Sequence, residues 1–136
     1  MSDWLLKFGF SSVQVFVAQS RKTRDLATGS RLISELLKSA LDTALAAPNT
    51  HLIMPADPST ACPHQAILRV SSVDEVVVRT IGDSMSMAVE SQWLTLANPG
   101  ALAARADVCA SAHDIAAQLR LTFETQWVAV EAAGGF

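Results

Sequence analysis

The sequence predicts an α+β domain, in which helices pack on one face of a four-stranded antiparallel sheet. Three observations predict it. Four short segments have strand character, at 4–10, 51–55, 65–70 and 121–131. Helical periodicity fills the long stretches at 13–47 and 72–119, and the segments follow one another in the order β-α-β-β-α-β.

Each element has a local reason. "WLLKFGF" (Trp4 to Phe10) is a short apolar run with three aromatic rings, bounded by Ser11 and Ser12, and reads as a buried strand. Ser11 stands three residues before Gln14 in a capping-box arrangement, and Val13, Phe16 and Val17 recur at helical spacing. Glycine costs about 1 kcal/mol relative to alanine inside a helix, so this helix is expected to fray or kink near Thr28 and Gly29. Ser30 then caps a second helical segment, whose apolar positions recur from Leu32 to Leu45 and end at Pro48.

"HLIMP" (His51 to Pro55) is a second strand, followed by a loop with two further prolines, Pro58 and Pro63. Gln65 to Val70 is a third. Ser72 and Glu75 form another capping box, and Val76, Val77, Val78, Ile81, Met85 and Ala88 continue helically to about Asn98, where Pro99 and Gly100 break the chain. Residues 101–119 read as helix again. In "LTFETQWVAVE" Leu121, Phe123, Trp127 and Ala129 point one way and Thr122, Glu124, Gln126 and Val128 the other, which makes a fourth strand. The resulting order is the ferredoxin-like arrangement, a fold that hosts many unrelated activities.

Composition bounds the function classes. At 136 residues the chain suits one domain with a real core, and with 50% apolar and 17% charged residues it is not a disordered segment. No uncharged apolar run approaches the roughly 18 to 20 residues that span a bilayer. "MSDWLLKFGF" lacks the basic start of a secretory signal, so a soluble, cytoplasmic protein is expected, with no membrane partner. Cys62 and Cys109 are isolated, with no histidine at ligand spacing; neither a zinc site nor a disulfide is expected, and both thiols are expected to be buried and reduced.

The charge distribution is less ordinary. Net charge is −3, yet Arg21, Lys22, Arg24 and Arg31, four of the ten basic residues, fall within an eleven-residue stretch. A helix beginning at Ser30 after Gly29 exposes unpaired backbone N–H groups, and basic residues beside it favour phosphate. The same cluster fits a subunit contact or a solvated helix start.

"FGFSSVQVFVAQSRKTRDLATGSRLISELLKSAL", residues 8–41, resembles the start of the large subunit of type III CRISPR effector complexes, in the Cmr subtype. Val13, Gln14 and Phe16 match that family's first helix. Arg21, Lys22, Thr23, Arg24, Asp25, Leu26, Gly29 and Ser30 match its Arg-Lys-Thr segment. "HLIMPADP", "CPHQAILRV" and "FETQWVAVE" resemble its later strands. Ala27 replaces the family's usual tryptophan and His64 its usual asparagine.

The resemblance implies a non-catalytic first palm-like domain that helps assemble an RNA-guided antiviral complex. It implies Arg24, Gly29 and Ser30 as nucleotide-facing residues, and Arg21, Lys22 and Arg31 as a surface for a partner or for phosphate. The implied partners are a second palm domain and the subunit that holds the 5′ end of the guide RNA, with indirect association with RNA. ATP and Mg2+ are implied for the full-length family, whose Gly-Gly-Asp-Asp metal-binding turn has no counterpart in this sequence. The domain by itself is therefore not expected to make cyclic oligoadenylate, and no catalytic or metal-binding residue is assigned.

Two other motifs compete. "IGDSMSM" resembles the nucleophile turn of serine-lysine peptidases, with Ser84 as nucleophile, but no lysine follows Lys38 to act as its base. His113 and Asp114 form an "HD" pair, which fits a helix start after Ser111 better than a metal site.

Overall fold

The computed structural model describes residues 2–11, 23–57, 64–72, 74–105, 107–122 and 124–132, with the backbone alone for 23–27. Its elements are β1 (Ser2–Ser11), α1 (Thr23–Leu45), β2 (Thr50–Met54), β3 (Gln65–Ser72), α2 (Glu75–Ala97), α3 (Pro99–Ala103), α4 (Ala112–Leu119) and β4 (Glu124–Ala132). The strands form one antiparallel sheet in the order β2-β3-β1-β4. This is the ferredoxin-like topology that the element order predicts.

Strand alternation sorts the side chains. Leu6, Phe8 and Phe10 of β1 and Ala66, Leu68 and Val70 of β3 are buried on the face that the helices cover. There they meet Ile33, Leu36, Leu37, Ala40 and Leu41 of α1 and Val78, Ile81, Met85 and Val89 of α2. Burying each of the larger side chains contributes roughly 1.5 to 3 kcal/mol, which makes this layer the main source of stability. The opposite face of the sheet carries no described element, so Lys7 of β1 and Val128 and Val130 of β4 are exposed there.

Several local expectations differ from the structure. The expected first helix, with Val13, Gln14, Phe16 and Val17, lies outside the described residues. No break occurs at Gly29: α1 runs unbroken from Thr23 to Leu45, so Ser30 lies in its interior and caps nothing. The glycine penalty of about 1 kcal/mol is outweighed by the buried face that follows it.

Helix α2 starts two residues later than its capping box implies. Its cap is Asp74, whose carboxylate accepts from Val76 N at 2.9 Å, while Ser72 Oγ accepts from Asp74 N at 3.1 Å. Val76 and Val77 are consequently exposed and Val78 is the first buried residue. Asn98, with φ 47°, ends α2, and its Oδ1 accepts from Ala101 N to start α3.

The stretch expected to be helical over 101–119 is two short helices with non-helical chain between them. Ser111 caps α4 through Asp114 N, as the reading of the "HD" pair expects. Trp93 Nε1 donates to Leu119 O at 2.8 Å and Arg120 pairs with Glu90 at 2.8 Å, which ties this excursion to α2.

Leu121 lies in a turn before β4 and is 85% exposed, and Phe123 lies outside the described residues; among the described residues Trp127 and Ala129 are the hydrophobic side chains of β4 packed against the core. Cys109 is exposed rather than buried, and Cys62 lies outside the described residues. No described helix is long and apolar enough to cross a membrane.

Candidate functional site

On the open face of the sheet, Gly9 of β1 pairs with Gln65 of β3 on one side and Gln126 of β4 on the other. Having no side chain, Gly9 leaves a dip in that face. The next row outward is Ile67, Lys7 and Val128. Lys7, Gly9, Gln65, Gln126 and Val128, with Phe10 and Trp127, line a depression of about 250 Å3, with an amide on either side of Gly9 and one ammonium in the next row.

Close approach requires the glycine here. A Cβ on Gly9 would meet Gln65 Cγ at 3.1 Å and the His64 carbonyl at 3.4 Å, so any larger residue both fills the dip and displaces Gln65. Phe10 N donates to His64 O at 3.2 Å, which fixes the start of β3 beside it. Ser11 Oγ donates to Glu124 Oε2 at 3.1 Å and holds β1 to β4 at this end of the sheet.

Chemically, an ammonium beside two amides suits an anionic ligand that also offers hydrogen-bonding groups. The residues lining the depression include no carboxylate, so they do not fit a magnesium site. Among the described residues no group of three or more His, Cys, Asp or Glu side chains could hold a metal ion.

A polar cluster occupies the other end of the open face. Ser71 Oγ donates to Asp3 Oδ1, and Arg69 Nε lies 3.4 Å from the same oxygen. The Ser71 hydrogen bond, with the Arg69 charge behind it, holds the Asp3 carboxyl below its ordinary value.

The basic residues singled out in the sequence are distributed differently. Arg21 and Lys22 lie outside the described residues, and Arg24 stands in the first turn of α1. Gly29 is buried in α1, whereas Ser30 and Arg31 are exposed on it. With no helix start at Ser30, the unpaired N–H groups expected there are absent. Because β1 and β2 are parallel, with antiparallel β3 between them, α1 runs back along the sheet from the end where β1 finishes. Its first turn is therefore at the Gly9 end.

Lys7, Gln65 and Gln126 were not singled out by sequence reasoning. Their only signal there is the glycine in an otherwise apolar strand, which marks a close approach or a missing side chain. Which strands flank Gly9 is a property of the sheet order.

The competing motifs are accounted for by packing. Ser84 is in the interior of α2, not in a turn, between buried Ile81 and Met85. Gly82 of the same motif faces Trp127. His51, His64 and His113 are exposed and form no cluster among the described residues.

No curated protein matches the chain. The profile described as "CRISPR-associated protein Cmr2, N-terminal" matches residues 5–131, a span that begins within β1 and ends within β4. The chain therefore belongs to that family, the N-terminal domain of the large subunit of type III-B CRISPR effector complexes.

Proposed function

We propose that this domain is a non-catalytic palm-like scaffold whose open sheet face packs toward the second palm domain of the large subunit and forms one wall of the cleft in which cyclic oligoadenylate is made. The depression around Gly9 carries this reading. It is a dip lined by an ammonium and two amides in a helix-free face, and family membership implies more of a large subunit for that face to meet.

In this reading Lys7 meets a nucleotide phosphate, and the Gln65 and Gln126 amides hydrogen-bond to sugar or base. ATP is the ligand class, and Mg2+ is held by carboxylates outside this domain. Arg21, Lys22 and Arg24, which precede or open α1 in the sequence, are the basic residues this reading assigns to phosphate or partner contact. Ser30 and Arg31, exposed on α1, suit a contact with the subunit that holds the 5′ end of the guide RNA. RNA association is indirect, since a net charge of −3 gives a poor electrostatic footprint for direct binding.

The test is cyclic oligoadenylate synthesis by a reconstituted effector complex carrying Gly9→Val. Filling the dip is expected to lower synthesis while the complex still assembles. Unchanged synthesis with normal assembly would reject the nucleotide role.

A further inference from the structure

The two edges of the sheet are built differently. β2 is five residues long, with an irregularity between Leu52 and Met54 and a proline directly after it, devices that blunt an edge against pairing. β4 is nine residues long, pairs with β1 in unbroken register from Glu124 to Ala132, and contains no proline. Among the described residues β1 is its one neighbouring strand.

A groove of about 250 Å3 runs beside this edge, between β4 and the first turns of α2. Its walls are Trp4, Val78, Trp127 and Ala129, with the Glu75–Arg79 pair at the rim. Val128 also borders it, although its side chain belongs to the open face, so it is the β4 main chain that faces the groove. Trp4 Nε1 is buried with no hydrogen-bond partner.

We infer that the outer edge of β4 receives an extended strand from another protein chain, with aliphatic side chains at alternate positions and a basic residue at each end. One set of its side chains would enter the groove over Trp127 and Ala129, and the other would cover Val128 and Val130, which are 55% and 60% exposed. Charge selects the ends: β4 carries Glu124 and Glu131, both exposed, and no basic residue. A second copy of β4 brings two further carboxylates and no basic residue, so it offers neither glutamate a counter-charge. This surface is the rim of the sheet and adjoins the dip at Gly9 at Val128, which borders both.

The experiment titrates the full chain with an eight-residue peptide of alternating valine and threonine bearing a lysine at each end, the spacing that places one lysine opposite each of Glu124 and Glu131, followed by NMR of the β4 amides and the tryptophan indoles. Saturable shifts along β4 and at the Trp4 and Trp127 indoles are expected. Methylating alternate peptide nitrogens, or replacing both lysines by glutamate, should each weaken binding at least tenfold, as should Val130→Lys in the protein. Absence of binding, or equal binding by the N-methylated peptide, would overturn the strand-addition proposal. Equal binding by the glutamate peptide would overturn its charge assignment, and self-association of the free chain through β4 would make the second copy the occupant instead.

Discussion

The indole of Trp127 in β4 lies directly against Gly82 of α2: a Cβ at residue 82 would sit 2.4 Å from the ring's Cδ2 and Cε2 and 2.8 Å from its Nε1. The pair explains two features at once. A glycine is kept in the middle of a long helix, where it costs about 1 kcal/mol relative to alanine, because the sheet's one large β4 side chain needs that space. The Gly-Asp-Ser sequence at 82–84, which looks catalytic on paper, is thereby a packing notch.

Gly82→Ala should destabilise the domain by about 1 to 3 kcal/mol, since the added methyl overpacks the site and the ring has to move. Trp127→Ala should cost about 3 kcal/mol, toward the low end for a tryptophan because the ring is only partly buried. In the double variant the alanine at 82 should become neutral or stabilising. Urea unfolding of all four proteins measures this coupling, and additive effects would mean that the two residues do not share the site.

Asp74→Ala should cost about 1 kcal/mol, the usual loss for an N-cap carboxylate, because Val76 N then has no partner. Ser72→Ala should cost less than Asp74→Ala. Thermal unfolding of the two variants distinguishes the true cap from the residue that only supports it.

The Asp3 carboxyl gives a pH signature. Its folded pKa is depressed, so its contribution to stability is fully present above the ordinary value near 3.8 and is lost as pH falls through the lower folded value. Asp3→Asn and Ser71→Ala should each flatten the acid limb of the stability curve and leave its shape above pH 6 unchanged. Denaturant midpoints measured across the acid range check this.

Much of the architecture was legible because each strand and helix carries its own period. The four strands, the α1 apolar face from Leu32 to Leu45 and the break at Asn98 all follow from local chemistry. What failed was local reasoning about positions that tertiary packing decides. Gly29 reads as a helix break, but the buried face of α1 carries the helix through it. Leu121 reads as strand, but the Trp93 and Arg120 contacts hold the chain ahead of β4 in a turn. The dip at Gly9 was out of reach for another reason: Lys7, Gln65 and Gln126 come from three strands, and only the order β2-β3-β1-β4 makes them neighbours.

Lys7→Ala should lower cyclic oligoadenylate synthesis in the reconstituted complex by roughly tenfold, the loss of one charge-assisted phosphate contact of about 1.5 kcal/mol. The isolated domain should keep its stability to within about 0.5 kcal/mol, since Lys7 is exposed. A large loss of stability would make Lys7 structural. Gln126→Ala should act in the same direction more weakly, because a neutral amide contributes less than an ammonium.

The most direct measurement is the affinity of this chain for a second palm domain bearing the Gly-Gly-Asp-Asp turn, compared between Val128→Glu on the open sheet face and Val76→Glu on the exposed start of α2. Binding that is lost with Val128→Glu and kept with Val76→Glu is the predicted result. Binding that survives Val128→Glu, or fails only with Val76→Glu, would contradict the open face as the docking side.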